Sequence, residues 1–317
     1  MNEFDIIHNL RKIIKNTSAL KLYDDVFFDK KNSLIASIDT FNETFHYPNF
    51  NKPDLIIKKV VRSSISDIIS KGIDPKFILI TISGSKNQFT KNNIKLLLNS
   101  IKQEQKKYNF SLIGGDITSS VKSSFTVCSL AYCKNIIKRI NCFVGDDIYV
   151  TGNIGDSSVG LSILNNKLKT SKKFKNYFIK KYFEPKLAYG FHRDLFKFAS
   201  SSMDISDGLL IDLKKMIAYK KYGFTLDFNK IPKSTYFNTL IKKKKILGIN
   251  HLFKGDDYQI LFTAKSSFRS IILKYSKKWN QKITRIGVIT RSGGNYMKFN
   301  NKNIKIKDYQ GYIHKFN

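Results

Sequence analysis

The chain has 317 residues, of which 56 are Lys or Arg and 24 are Asp or Glu, giving a formal charge of +32. Its length suits about two domains, each able to bury a core. Glu3 and Asp5 make the first residues acidic, and no apolar run approaches the roughly 18 residues of a bilayer span, so a cytoplasmic protein with neither signal peptide nor membrane helix is expected.

Cys128, Cys133 and Cys142 lack CxxC spacing, and the histidines form no HExxH pair. A disulfide scaffold and a zinc site are therefore not expected, and the cysteines read as reduced residues in or near the core. Dense positive charge attracts polyanions. Yet only Arg11, Arg62, Arg139, Arg193, Arg269, Arg285 and Arg291 are arginine, the preferred reader of phosphate and guanine edges. The lysines are spread along the chain, and the run Lys242 to Lys245 reads as a solvated face. The charge looks like compositional bias, with no specific nucleic-acid role.

In chain order, apolar residues at helical spacing predict a helix over residues 4–14, and alternation predicts a strand over 33–39 that ends at Asp39-Thr40. A helix over 53–71 is stopped by Gly72 and Pro75, placing Asp67 about one turn before its end. A strand over 77–83, a helix over 92–108, a strand running into Gly114-Gly115-Asp116 and a strand over 124–132 complete a β-rich α/β half. After a boundary within 134–143 come a strand at 145–152, helices at 157–165 and near 186–198, a strand-turn-helix at 203–216, and strands at 257–263 and 283–289.

The scarce acid is concentrated in patches rich in Gly, Ser and Thr: Asp24-Asp25, Asp39-Thr40, Ser66-Asp67, Gly114-Gly115-Asp116, Asp204-Ile205-Ser206-Asp207-Gly208 and Gly255-Asp256-Asp257. Ser206 or Asp207 would serve as a helix cap, and Gly114-Gly115 as a tight turn. The same residues also suit Mg²⁺ held against a polyphosphate, with hard oxygen ligands beside a helix N-terminus and glycines that let phosphate approach. Like charges folded together repel, so a shared site for these aspartates calls for cations. The chain has no GxxxxGK[ST], no GxGxxG and no kinase HRD or DFG set, so any ATP chemistry would rest on aspartates and metal.

In this order the patches resemble the thiamine-monophosphate kinase family, within the ATP-binding superfamily of aminoimidazole ribonucleotide synthetase and selenide water dikinase. The matching stretches also include His46, Gly72-Ile73-Asp74-Pro75, Arg139, Gly145-Asp146-Asp147, Gly155-Asp156-Ser157, Gly255-Asp256-Asp257-Tyr258 and Gly311-Tyr312, and span nearly the whole chain. The resemblance implies a two-domain α/β (α+β) fold of the aminoimidazole ribonucleotide synthetase type. Residues 1–137 would form an N-terminal β-rich α/β domain for ATP, Mg²⁺ and dimerisation, and residues 138–317 a C-terminal α/β domain. It implies ATP-dependent phosphorylation of thiamine monophosphate to thiamine diphosphate in a homodimer whose strands pair between chains.

By position, Asp25, Ser37, Ile38, Asp39, Asp67, Asp116, Asp204 and Asp207 would bind Mg²⁺. Gly115, Asp116, Arg139 and Ser206 would contact ATP, and His46, Asp256 and Tyr312 would face the thiamine phosphate. No catalytic residue is implied beyond metal and ATP positioning. The chain departs from the family pattern at Tyr23, where Gly precedes the Asp pair, at Ile38 for Thr, at Lys254 for Gly and at Asp256 for Glu. Two other readings stay open: another small-molecule, ATP-dependent enzyme of the superfamily, and a basic nucleic-acid-binding protein on the same fold.

Overall fold

The computed structural model describes residues 3–291, 294–299, 302–306 and 311–314. Helix α1 (Glu3–Ile13) precedes strands β1 (Phe27–Asp29) and β2 (Leu34–Asn42), then α2 (Pro53–Ser70), β3 (Phe77–Gly84), α3 (Lys91–Tyr108), β4 (Ser111–Ser119) and β5 (Ser124–Tyr132). The strands form one sheet in the order β1-β2-β5-β3-β4, antiparallel except for the parallel β3/β4 pair.

The second part contains β6 (Asp147–Thr151), α4 (Asp156–Leu164), α5 (Lys172–Phe183), β7 (Ala199–Asp204), α6 (Leu209–Ala218), β8 (Gly223–Asp227), α7 (Thr235–Lys242), α8 (Ile249–Leu252), β9 (Ile260–Ala264), α9 (Arg269–Lys278), β10 (Ile283–Thr290), β11 (Asn295–Phe299) and β12 (Lys302–Lys305). Its strands make a seven-stranded sheet in the order β12-β11-β8-β10-β6-β9-β7.

Helix α2 joins the two sheets. Pro53 opens it with a preset φ, and the chain leaves it at Gly72, whose φ of +86 no β-carbon-bearing residue adopts readily. Between these ends the helix is buried on nearly every side, packing on β2 and β5 of the first sheet and on β7 of the second. Such a helix carries side chains into the space between the sheets without exposing its backbone.

Three sequence expectations need correction. The segment near 186–198 is a short 3₁₀ turn, Phe191–Lys197, entered through Gly190 at φ +91, so the apolar spacing there packs a loop. The strand expected from Asp257 begins only at Ile260, which leaves Asp256 and Asp257 in a loop. Gly114 and Gly115 form no turn: β4 runs through both, with a register shift opposite Ile78 and Leu79. A Cβ on Gly115 would lie 1.8 Å from the carbonyl oxygen of Ile80, so the close β3/β4 contact requires glycine there. All nine residues of β4 are exposed, including Ile113 at 51% and Ile117 at 73%.

Candidate active site

One cavity of about 540 Å³ lies where the two sheets meet. Asp25 reaches it from the loop before β1, Asp39 from β2, Asp67 from α2, Asp204 from the end of β7, and Ser206 and Asp207 from the β7–α6 turn. His46, Tyr312, His314, Asp256 and Lys59 line the same cavity. Ile38 also lines the cavity.

The carboxylates are held close and partly dry. Burial, then the like charges of Asp204, Asp39 and Asp25, push Asp67 well above the ordinary carboxyl range. Burial raises Asp204 to about 7 against the hydrogen bond from Ser66, and Asp39 to about 6 against the nearby Ser64 hydroxyl, with neighbouring aspartates adding to both shifts. Asp25 also suffers burial, but Arg139, Lys71 and Lys215 outweigh it and lower the pKa. Lys215 pairs with Asp207 and lies 3.3 Å from the buried Asp212. Asp212 in turn accepts the Asp207 and Gly208 N–H groups at 3.1 and 3.0 Å, fixing the turn that presents Asp207.

The oxygens suit a hard cation. Asp25 Oδ2 and Asp39 Oδ2 are buried without a hydrogen-bond partner among the described residues, a costly state that a divalent ion would relieve. Among those residues no three His, Cys, Asp or Glu side chains close tightly on one point. The arrangement therefore fits Mg²⁺ that keeps waters and phosphate oxygens in its shell, and does not fit an all-protein cage.

Two loops lock together beneath the site. A Cβ on Gly208 would fall 2.1 Å from the Phe253 carbonyl, and one on Gly255 would fall 2.1 Å from the Ser206 carbonyl. Asp256 N donates to that Ser206 carbonyl at 2.8 Å, while Asp256 and Tyr258 take the left-handed φ values +62 and +49. Asp256 Oδ1 accepts from Lys59 at 2.6 Å and from the Tyr258 hydroxyl at 2.9 Å. The segment 311–314 runs from Asp207 to His46: Tyr312 N donates to the Asp207 carbonyl at 3.0 Å, and the His314 ring lies 5.5 Å from His46 and 4.9 Å from Tyr312. His46 accepts the Asn42 N–H on Nδ1, and burial followed by His314 lowers its pKa.

The remaining residues singled out from the sequence lie elsewhere. Ser37 donates to Asp67 at 2.5 Å and so holds that carboxylate from behind. Arg139 binds Asp25 through its guanidinium, which also donates to the Tyr23 carbonyl at 2.8 Å; its backbone N–H caps Asp24. Tyr23 replaces glycine without strain, since its φ is −95, and its ring packs against Arg11 and Tyr219. Asp257 takes the Gly155 N–H on both oxygens, and Asp74 binds His192 and Arg193, so both brace loops. Gly115 and Asp116 lie on β4, three strands away from β2 in the sheet and outside the cavity lining. Lys59, Ser63 and Lys215 went unnoticed in the sequence, where the only signal was the four-residue spacing of Lys59, Ser63 and Asp67 in one helix.

Comparison with known proteins bears on the whole chain. Residues 22–133 match the family described as AIR synthase related protein, N-terminal domain, and residues 144–300 match its C-terminal domain. A thiamine-monophosphate kinase of Buchnera aphidicola subsp. Schizaphis graminum is 33% identical over 304 residues, covering 91% of each chain. One from Nitrosopumilus maritimus is 28% identical over 315 residues, covering 99% of this chain and 98% of its own. In fold, the structure of AaThiL complexed with AMPPCP and TMP superposes with a TM-score of 0.85 at 24% identity, over 99% of this chain and 97% of that one. The motif order, the two-sheet architecture and these matches agree: the chain belongs to the thiamine-monophosphate kinase family, within the AIR synthase-related proteins.

Proposed function

We propose that the cavity transfers the terminal phosphoryl group of ATP to thiamine monophosphate, giving thiamine diphosphate and ADP. The observation that carries this reading is the make-up of one cavity lining, which holds Asp25, Asp39, Asp67, Asp204 and Asp207 together with the rings of His46, Tyr312 and His314. A phosphate ester of an aromatic heterocycle fits that combination. The relatives named thiamine-monophosphate kinase support it.

Asp25, Asp39, Asp67, Asp204 and Asp207, with the Ile38 carbonyl, would hold Mg²⁺, which neutralises phosphate charge when bound. Ser37 and Ser66 fix Asp67 and Asp204. Ser206, at the head of α6, would meet ATP, and Arg139 would act from behind Asp25. His46, Asp256 and Tyr312 would orient the acceptor. An oxygen of the acceptor phosphate forms the new bond to phosphorus as the bond to the ADP oxygen breaks. That oxygen is already ionised at neutral pH, so positioning suffices and no general base is required.

Gly115 and Asp116 are not in the lining of this cavity, and β5 and β3 stand between their strand and β2. We infer a homodimer in which the exposed, partly apolar β4 meets a second copy and brings Gly115 and Asp116 to a shared site. The division at residues 137/138 would give the first part ATP binding and dimerisation, and the whole would act in the cytoplasm. Among the described residues no helix is long and apolar enough to cross a membrane.

Purified protein incubated with Mg-ATP and thiamine monophosphate should yield thiamine diphosphate by chromatography. Product no greater than in a metal-free control would reject the reading, and turnover of a different phosphate acceptor alone would favour another activity of the superfamily.

A further inference from the structure

Lys59, Ser63 and Asp67 occupy α2 at four-residue intervals, and all three line the cavity. The spacing puts them on one face of the helix, about 6 Å apart along its axis. Asp67 belongs to the carboxylate end. Lys59 lies on the His46 side: its ammonium is 3.9 Å from the Tyr182 ring centroid, and the Tyr182 hydroxyl donates to the His46 carbonyl at 2.6 Å. The Lys59 side chain is 1% exposed, and Asp256 is its one ion-pair partner among the described residues. Ser63 Oγ is buried beside the Tyr258 hydroxyl, which itself donates to Asp256, and no hydrogen bond of standard geometry reaches that Oγ among the described residues.

A desolvated ammonium and an unsatisfied hydroxyl, side by side on a cavity wall, make a ready seat for an anion. The other cations lining the cavity are less suited: Lys215 is taken up by Asp207 and Asp212, and Lys254 is exposed. An aromatic phosphate ester lying against His46 and Tyr312 would extend its phosphate along α2 toward Asp67, past Lys59 and Ser63.

We propose that Lys59 and Ser63 seat the phosphate of the acceptor and hold it in line with the phosphoryl group delivered from the aspartate end. Asp256 shares the Lys59 ammonium with that phosphate and sets its position. The proposal rests on the reading of the cavity as a thiamine-monophosphate kinase site, and its test separates the two.

Titration calorimetry with thiamine monophosphate and with unphosphorylated thiamine would be run on the wild-type protein, Lys59→Met, Lys59→Arg and Ser63→Ala. Lys59→Met is expected to weaken thiamine monophosphate about tenfold or more and thiamine by less than about twofold, as loss of a charge-assisted contact to phosphate requires. Ser63→Ala should weaken thiamine monophosphate about threefold or more, and Lys59→Arg should recover part of the loss. Equal losses for both ligands, or unchanged thiamine monophosphate affinity, would overturn the proposal. If Lys59→Met fails to fold by circular dichroism, Ser63→Ala decides, since removing one hydroxyl places no burden on the helix. A wild-type protein that neither binds thiamine monophosphate nor turns it over would instead reject the reading of the site, and the proposal with it.

Discussion

Replacing Asp67 by Asn is expected to lower turnover by about 10²–10³-fold or more while raising the melting temperature of the metal-free protein by a few degrees. Without a cation, Asp67 must either stay ionised against burial first and then the like charges of Asp204, Asp39 and Asp25, or take up a proton on folding, and both cost stability near neutral pH. An amide of nearly the same shape can still accept the Ser37 hydroxyl on its oxygen, and its NH₂ can donate to a neighbouring carboxylate. The folded state thus loses repulsion and keeps its packing, but the site loses a charge that holds metal against phosphate. Turnover assays with thermal denaturation in a chelator would measure both effects. A variant of reduced stability would mean that Asp67 is a structural carboxylate, and near-normal turnover would remove it from the metal site.

The second large effect is on pH. In metal-free protein, stability should fall as pH rises from about 6.5 to 8.5, by an amount on the order of a few kcal/mol. Burial raises Asp204 to about 7 and Asp212 to about 8, and Asp67 rises well above its ordinary value, whereas in the unfolded chain all three ionise near pH 4. The folded state therefore binds more protons across this window, and each proton lost on raising the pH costs folded-state stability. Below about pH 6.5 two effects oppose: Asp39, raised to about 6, lets the folded state bind a further proton, while burial lowers His46 and takes His251 to about 4, so the unfolded chain gains protons there that the folded one does not. Melting curves in a chelator at several pH values would show the decline, and repeating them with Mg²⁺ should flatten it. A chelated protein equally stable at pH 6.5 and 8.5 would contradict the mutual repulsion described for the site.

Much of the cavity was legible because its residues sit in short, ordered motifs. Asp39, Asp67, Asp204 and Asp207 stood out as carboxylates beside Gly, Ser or Thr, and the structure gathers them around one space. Helix α2 was readable from Pro53 to Gly72 because its apolar residues recur at helical intervals between strong boundary signals. The lysine-rich helices α5 and α9 were not, since Lys at nearly every polar position blurs the periodicity.

Lys59 was hidden for a related reason. Among 56 basic residues nothing local marks the one whose partner, Asp256, is 197 positions away. The pairing appears only when α2 is laid against the loop after α8. Gly114-Gly115 misled in the opposite direction, because a pair of glycines signals a turn locally, while the cause here is the closeness of a neighbouring strand.

The bare outer strand β4 has a consequence for how the activity should depend on amount. Its outer edge pairs with no other strand among the described residues, and Gly115 and Asp116 on it lie outside their own chain's cavity lining. On the paired arrangement proposed above, catalysis is a property of two chains, and specific activity should decline once dilution outruns association. Rate per milligram measured over a wide concentration series would then curve downward at the dilute end. A constant value down to the lowest assayable concentration, in protein shown by sedimentation to be monomeric there, would place every essential group within a single chain.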